Sequence, residues 1–251
     1  MTEPSPRVSM SAPDRESPEL GRVLEVLENA VKYQDWIFSL AAPYLGDRVL
    51  EVGAGTGTMF SCIADREHVV AIEPDQDLFQ ELERRFGPSP NVSLICGNLE
   101  DDATVATLRQ ASLDSAMMFN VLEHIEDDVS VLRVLASVLG TGGRLAIFVP
   151  AFPGIFGSMD RAVGHVRRYR RPDLVAKMQA TGFTVKAAYY VNLPGYFAWF
   201  INGRVLRSQS PAGGARMVSM YDRAVVPATR AAERRVHPPF GQSLLVVGVK
   251  Q

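Results

Sequence analysis

The sequence lacks the long apolar runs that mark membrane-spanning and secreted proteins. No stretch of the 251-residue chain reaches the roughly 18 apolar residues of a transmembrane helix. Residues 1–19 have no apolar core of a signal peptide, and they are rich in Pro, Ser and charged residues, which is typical of a disordered tail. We therefore expect a cytoplasmic protein with no transmembrane segment.

Cysteine is scarce, since the chain has only 2. Cys62 and Cys96 lie within apolar patterns and do not have the spacing of metal ligands. The pattern favours two buried thiols in a reducing compartment over a disulfide. We expect no bound metal.

An excess of basic charge is also missing. The chain has 26 Lys and Arg against 28 Asp and Glu, for a net charge of −2, and nucleic-acid-binding proteins usually carry a basic excess. We expect no nucleic-acid partner. The basic residues are almost all arginine, whose codons are GC-rich, which leads to the hypothesis of a GC-rich bacterial source.

Strand-like and helix-like patterns alternate along the chain from about residue 20 to residue 190. Continuous apolar segments of strand length include RVLEVG, HVVAIE and GGRLAIFVP, and segments with helical spacing lie between them. Strands that alternate with helices predict an α/β fold with a mostly parallel sheet covered by helices on both faces. The expected segments are a first helix (20–47), a core (48–191), a helical insert (192–240) and a last strand (241–251), which together form one domain over 20–251.

A glycine-rich loop, VGAGTG, follows the first predicted strand. Gly53, Gly55 and Gly57 alternate there, two residues after Glu51. A phosphate-binding P-loop would need Gly-Lys-Ser/Thr, which is absent, and the dinucleotide pattern G-x-G-x-x-G fits only in part because Thr58 stands at its last glycine. Glu73 lies 20 residues after Gly53, the separation at which a carboxylate binds the ribose hydroxyls of a nucleotide. These residues indicate an adenosine-containing ligand without naming it.

Five motifs in order, VLEVGAGTG, VVAIEPDQDL, CGNLED, FNVLEHIED and GTGGRLAIFVP, resemble those of class I S-adenosylmethionine-dependent methyltransferases. The resemblance covers about residues 20–190. It implies a Rossmann-like seven-stranded sheet with an antiparallel last strand. It also implies S-adenosylmethionine as cofactor and S-adenosylhomocysteine as product. The cofactor residues that the resemblance implies are Tyr33, Glu51, Gly53, Ala54, Gly55, Gly57, Glu73, Pro74, Asn98, Leu99, Asn120, Val121 and His124.

The roles implied for these residues differ along the cofactor. Glu51 would orient its amino group and Glu73 would hold the ribose, while Asn120 and Val121 would lie near the sulfonium. Tyr33, on the first helix, would close over the cofactor. Asn98 departs from the family pattern, which has Asp after the glycine, and its amide can both accept from and donate to the adenine edge.

The segment after the fifth predicted strand, residues 150–171, contains the candidate acceptor site. Its arginines are read in three ways: as a solvated helix start, as a nucleic-acid surface, or, as we prefer, as a pocket for a small molecule with an anionic or phosphorylated part. His165 is the expected general base with Asp160 orienting it, and His124 is the rival base. The expected substrate-binding residues are Phe152, Phe156, Arg161, Arg167, Arg168, Tyr169 and Tyr196.

This segment also resembles a subgroup of these methyltransferases in which GS-x-D-R-x-x-GH-x-RRY follows the fifth strand. The same relatives carry PPFG-x-S before the last strand, matched here over residues 238–243. Their substrates are mostly unassigned, and many act in natural-product or glycan assembly. The aromatic-rich start of the insert predicts core packing, a homodimer face, a cap over an apolar or lipid-linked acceptor, or a membrane-contact surface.

The sequence therefore predicts a methyltransferase that acts on a small-molecule acceptor, with oxygen favoured over nitrogen or carbon. One alternative is an enzyme of the same fold with other chemistry, such as hydrolysis, elimination or cyclisation. A second is a non-catalytic cofactor-binding accessory protein. A macromolecular substrate is disfavoured by the near-neutral charge.

Overall fold

A seven-stranded sheet organises the computed structural model, which describes residues 30–208 and 214–251. The strands occur in the order β3-β2-β1-β4-β5-β7-β6. Their bounds are Arg48–Val52 (β1), His68–Glu73 (β2), Val92–Cys96 (β3), Leu113–Phe119 (β4), Leu139–Pro150 (β5), Phe183–Val191 (β6) and Ser243–Lys250 (β7). The prediction of a Rossmann-like sheet of seven strands is confirmed.

Strand direction also agrees with the prediction. β1 pairs in parallel with β2 and β4, and β4 pairs in parallel with β5. β7 runs antiparallel to both β5 and β6. The central strands are apolar on both faces because each face is covered: Val49 packs into one hydrophobic cluster and its neighbour Leu50 into the other.

Helices cover the two faces, and aspartates begin several of them. Asp75, Asp101 and Asp127 each accept a backbone N–H of the first helical turn, which satisfies donors that lack a partner within the helix. The helices of the core are Val31–Ala41 (α1), Gln76–Phe86 (α2), Asp102–Gln110 (α3), Asp128–Val138 (α4), Ser158–Ala162 (α5) and Arg171–Ala180 (α6). Residues 20–29 of the predicted first helix lie outside the described residues.

The chain after the glycine loop differs from the predicted helix. Residues 56–65 form turns around a short 3-10 helix, Phe60–Cys62. Thr58, Ser61 and Cys62 have low helix propensity, and Gly57 has a left-handed φ of 87°. Phe60 and Ile63 are nevertheless fully buried, so the apolar pattern marks burial here and not a helix.

The two cysteines are free, as expected, but the expectation that both are buried is wrong. Cys62 is half-buried, whereas Cys96 is exposed. Cys96 is the last residue of β3, which lies at the edge of the sheet, and its strand neighbour Ile95 is the residue that packs against the core. Leu94, on the same face of the strand as Cys96, packs against the other hydrophobic cluster, so the exposure of Cys96 comes from its position at the end of an edge strand and not from a solvated face.

The insert between β6 and β7 is helical where it is described. Its helices are Leu193–Phe200 (α7), Gly214–Met220 (α8) and Val226–Glu233 (α9), and a π-helical segment follows each of the first two. Phe197 and Phe200 are exposed, while Trp199 on the same helix donates a hydrogen bond to Asp160. Among the described residues, no helix is long and apolar enough to cross a membrane.

The buried faces of β1 provide a test of the fold. Leu50 is fully buried, so Leu50→Ala should lower the free energy of unfolding by about 2–5 kcal/mol through lost burial and the cavity it leaves. Urea unfolding followed by circular dichroism measures the change. Val236→Ala is the matched control, since Val236 is 73% exposed and should change stability by less than about 0.5 kcal/mol. Equal stability of the two variants would contradict the core position of Leu50.

Candidate functional site

The glycine loop lies at the carboxyl end of β1, in the middle of the parallel part of the sheet. Gly53, Gly55 and Gly57 have φ values of 70°, 57° and 87°, a region that side-chain-bearing residues rarely adopt. A Cβ on Gly53 would lie 2.5 Å from Val121, whereas a Cβ on Gly55 would meet nothing within 4 Å. The loop therefore packs closely on the segment after β4 at one glycine and faces open space at the next.

Glu73, at the end of β2, fastens this loop. Its Oε2 accepts the N–H of Gly55 at 2.7 Å, and its Oε1 accepts the N–H of Asp75 at 2.9 Å. Burial raises the pKa of Glu73, while the two N–H donors lower it. Because each carboxylate oxygen can accept more than one hydrogen bond, the side chain keeps acceptor capacity for a ligand.

Glu51 is a buried carboxylate without a full set of partners. It is 2% exposed, and its Oε2 has no hydrogen-bonding partner among the described residues. Burial, and then the nearby charge of Glu73, raise the pKa of Glu51 well above its usual value. An unsatisfied buried oxygen costs free energy, and a cationic ligand group would remove that cost.

The remaining residues predicted for the cofactor follow the neighbouring strands. Asn98 comes after β3, and its Oδ1 accepts the N–H of Glu100 at 2.8 Å. Leu99 is buried and Pro74 is exposed. Asn120 comes after β4 with a left-handed φ of 54°. These residues therefore lie together at the carboxyl ends of β1 to β4, which is where ligands bind in open α/β sheets.

The polar contacts of Tyr33 are with the insert and the start of β7, and not with the residues that follow β1 to β4. Its N–H donates to Asp222 of the insert at 2.8 Å, and its hydroxyl lies beside Ser243 and Asn192. Burial raises the pKa of Tyr33. The side chain therefore joins the first helix to the insert and to the start of β7.

Asp160 is the centre of a second group of polar residues. It is fully buried. Its oxygens accept hydrogen bonds from Gly157 N (2.8 Å), His165 Nδ1 (3.0 Å), Arg168 Nε (2.6 Å) and Trp199 Nε1 (3.0 Å). Although burial alone would raise its pKa, these partners hold the pKa of Asp160 below its usual value. Asp160 therefore contacts His165 and also forms a buried ion pair with Arg168.

His165 and His124 lie against each other, with ring centroids 4.9 Å apart. His124 Nδ1 contacts the carbonyl oxygen of Gly164 at 3.1 Å. Burial, and then the nearby His165, lower the pKa of His124 to about 4, so its ring is neutral at neutral pH. The structure brings together the two residues proposed as rival bases.

Glu123 completes this cluster, and the sequence analysis did not single it out. Its side chain is fully buried, and neither carboxylate oxygen has a hydrogen-bonding partner among the described residues. Burial raises its pKa to about 8. Its Oε1 lies 3.7 Å from His165 Nε2. The adjacent His124 was the only sequence signal for it.

The arginines predicted to bind substrate separate into two groups. Arg168 is buried, where it donates to Asp160 and to the carbonyl oxygen of Ala151, and Arg167 donates to Asp128 and to the carbonyl oxygen of Glu126. Tyr169 is likewise buried, and its hydroxyl donates to Asp128 Oδ2 at 2.9 Å and lies 3.1 Å from Leu122 O. These side chains are committed to internal contacts and are not arranged as a surface clamp.

Arg161 is exposed and borders a cavity of about 410 Å³. The cavity is lined by Gly157, Arg161, Gly203, Arg204 and Arg207. Arg204 and Arg207 belong to the insert and carried no motif that would mark them in the sequence. The arrangement places three arginines around one space.

The aromatic residues predicted for the acceptor form a cluster with the end of the insert. The Phe152 ring lies 5.7 Å from Tyr196 and 6.3 Å from Phe240, measured between centroids. Phe156 lies under the guanidinium of Arg161. The PPFG segment that precedes β7 therefore reaches the same region as the segment after β5.

The fold and the glycine loop with its strand-end carboxylates agree with the class I S-adenosylmethionine-dependent methyltransferase architecture that the sequence motifs resemble. Residues 50–147 match the protein-family model described as "Methyltransferase domain". This part of the chain is thus similar to a methyltransferase domain, and the similarity implies S-adenosylmethionine as cofactor. The motif after the fifth strand lies outside the matched residues.

Three similar proteins illustrate the relationship. A probable S-adenosylmethionine-dependent methyltransferase of Mycolicibacterium smegmatis is 27% identical over 150 residues, which cover 59% of this chain and 56% of the relative. An S-adenosylmethionine-dependent methyltransferase structure from Mesorhizobium loti has a TM-score of 0.58 at 14% identity and covers 85% of this chain and 96% of that one. The [4+2]-cyclase SpnF has a TM-score of 0.55 at 20% identity, with 86% and 81% covered. The chain spans about half the length of the curated relatives it matches.

The residues at the sheet edge fit this cofactor. The unsatisfied oxygen of Glu51 suits its cationic amino group, and the open space in front of Gly55 leaves room for a ligand against the backbone. Glu73 is held in place by backbone donors and retains acceptor capacity for ribose hydroxyls. These features are expected of a cofactor cradle and have no evident role in packing.

Removing the Glu73 carboxylate should weaken cofactor binding. A hydrogen bond to a charged group contributes about 1.5–3 kcal/mol, so Glu73→Ala should raise the Kd for S-adenosylmethionine by about 10- to 100-fold, as measured by isothermal titration calorimetry. Glu67→Ala is the control, because Glu67 is exposed and precedes β2 at the opposite edge of the sheet. Unchanged affinity in Glu73→Ala would remove the ribose assignment.

The Asp160 network should be required for stability. Asp160→Asn removes the charge that pairs with the buried Arg168, and breaking a buried ion pair on one side costs about 3–5 kcal/mol. Urea unfolding should show that loss in the free energy of unfolding. The exposed Asp65 supplies the control Asp65→Asn, which should remain within about 0.5 kcal/mol of the wild type. Two variants of equal stability would rule out this role for Asp160.

Proposed function

We propose that the protein transfers a methyl group from S-adenosylmethionine to a small-molecule acceptor, at a hydroxyl oxygen. One observation carries the proposal: the short segment 120–124 connects both halves of the site. Val121 packs against Gly53 of the cofactor loop, and His124, three residues later, packs against His165. Methylation of a hydroxyl is assisted by a group that accepts the hydroxyl proton close to the methyl donor, and the two histidines are such groups.

The cofactor supplies an electrophilic methyl group on a sulfonium. Because the reaction is an in-line displacement, much of the rate comes from holding the acceptor in line with that carbon. Glu51, Glu73 and the glycine loop would fix one partner, and the segments after β4 and β5 would fix the other. The main contribution of the protein to the rate would be the alignment of acceptor and methyl donor, and acid–base catalysis would add to it.

His165 is the proposed proton acceptor. Asp160 accepts the hydrogen bond from its Nδ1, so the lone pair lies on Nε2, and the carboxylate would stabilise the imidazolium that forms. The proton of the acceptor hydroxyl would move to Nε2 as the oxygen attacks the methyl carbon. His124, neutral and adjacent, is the second candidate for this role.

The proposed acceptor is anionic, phosphorylated or lipid-linked, as in natural-product or glycan assembly. The cavity with Arg161, Arg204 and Arg207 supports an anionic part, because guanidinium groups bind phosphate and carboxylate bidentately. The cluster of Phe152 with Tyr196 supports an apolar part. The bacterial origin of the curated relatives supports a bacterial source.

Cyclisation is a second candidate, because the [4+2]-cyclase SpnF shares the fold at 20% identity. Incubation with S-adenosylmethionine labelled in its methyl group separates the two functions. Label in the product supports methyl transfer, and an unlabelled rearranged product supports cyclisation.

The role of His165 can be tested once an acceptor is found by screening metabolites for conversion of the cofactor to S-adenosylhomocysteine. His165→Ala should lower the rate of that conversion by about 10²- to 10⁴-fold, the usual effect of general base catalysis, with no change in cofactor affinity. His68→Ala is the control, since His68 begins β2 at the opposite edge of the sheet. Wild-type turnover by His165→Ala would contradict the proposal.

A further inference from the structure

We propose that Glu123, His124 and His165 bind a divalent transition-metal ion beside the cofactor loop. One ligand atom from each residue can be chosen so that all three lie within 4.8 Å of one another. The inference rests on the proposed function only in placing this cluster on the acceptor side of the site.

The hydrogen bonds of the two histidines determine which ring nitrogen of each is free to bind a metal ion. His124 Nδ1 contacts a carbonyl oxygen, Gly164 O, and His165 Nδ1 contacts a carboxylate oxygen of Asp160. Both partners only accept hydrogen bonds, so both Nδ1 atoms carry the proton and both Nε2 atoms carry a lone pair. Histidines that ligate metals are oriented in this way, with the other ring N–H donated to a carboxylate or a backbone carbonyl.

Glu123 supplies the observation that is independent of the histidines. Its side chain is 0% exposed, and both of its oxygens lack hydrogen-bonding partners among the described residues. Buried carboxylates are normally paired or coordinated to a metal. The 3.7 Å from its Oε1 to His165 Nε2 is too long for a hydrogen bond. Two ligand atoms that share an ion with bonds of about 2.0–2.2 Å lie at comparable separations.

The ligand set selects the class of metal. Two imidazole nitrogens and one carboxylate oxygen suit zinc and the neighbouring first-row ions, such as iron(II) or cobalt(II), whereas magnesium and calcium prefer oxygen ligands. Three protein ligands leave at least one coordination position open, as in catalytic metal sites. An acceptor hydroxyl fits that position.

Metal binding would change how the acceptor loses its proton. A cation lowers the pKa of an oxygen bound to it, so the hydroxyl proton would leave to solvent while the oxygen stays coordinated. That oxygen would form the new bond to the methyl carbon as the methyl–sulfur bond breaks, and the electron pair of the broken bond would remain on sulfur in S-adenosylhomocysteine. His165 Nε2 would then hold the ion and not the proton. The acceptor hydroxyl would still lose its proton at this cluster, but the metal ion and not His165 would cause the loss.

Direct metal binding tests the inference without any acceptor. The untagged protein is dialysed against EDTA and then freed of chelator. It is titrated with Co²⁺ while the visible ligand-field absorption of the bound ion is recorded. Calorimetry with Zn²⁺ gives the stoichiometry and the Kd. We expect one ion per chain. His124→Ala and, as a second variant that preserves side-chain shape, Glu123→Gln should each raise the Kd at least ten-fold. His68→Ala should match the wild type, and a far-ultraviolet circular dichroism spectrum and a thermal unfolding midpoint like those of the wild type show that each variant is folded.

The outcomes separate this inference from the proposed function. Absence of saturable binding of Co²⁺ and Zn²⁺ to the wild-type protein, or equal affinity in His124→Ala and Glu123→Gln, would overturn the metal site even if methyl transfer occurs. Methyl transfer that persists at full rate in the EDTA-treated, metal-free protein would also show that a metal ion is not the means by which the acceptor is deprotonated. A bound ion in a protein that transfers no methyl group would support the site and count against the proposed function.

Discussion

The buried carboxylate of Asp160 holds together the segments that follow β5 and the first helix of the insert. It receives donors from the start of α5, from the loop after α5, from the segment before α6 and from α7 of the insert. A charge that is removed from water is tolerated only when its partners replace the lost solvation, so these four segments must assemble together. The same carboxylate fixes the imidazole of His165, which links the packing of the insert to the chemistry of the site.

The two halves of the site are built by different means. The half proposed to bind the cofactor depends on backbone geometry, because left-handed glycines and strand ends place N–H groups and carboxylates at the carboxyl ends of the strands. The half proposed to bind the acceptor depends on a network of side chains. Each half nevertheless contains a buried carboxylate with at least one oxygen that lacks a partner among the described residues, Glu51 in the first and Glu123 in the second. Both lower the stability of the protein alone, which is the expected cost of a site prepared for a ligand.

The sequence was informative where a feature depends on local pattern. Continuous apolar runs located the strands, and the spacing from Gly53 to Glu73 predicted that Glu73 lies beside the glycine loop, because both follow from short-range geometry. Features that depend on tertiary contacts were missed. Nothing in the spacing shows that Arg168 turns inward to Asp160 while Arg161 stays exposed, or that Glu123 is enclosed. The turns after Gly57 were mistaken for a helix because buried residues at helical spacing occur in both.

The position of β7 between β5 and β6 also bears on how the chain folds during synthesis. Every other described strand precedes β7, so the outer edge of β5 and the whole of β6 remain without their pairing partner until residues 243–250 leave the ribosome. Unpaired strand edges are templates for pairing with other chains. The nascent protein therefore passes through a stage in which two edges are open, and the strand made last closes both at once.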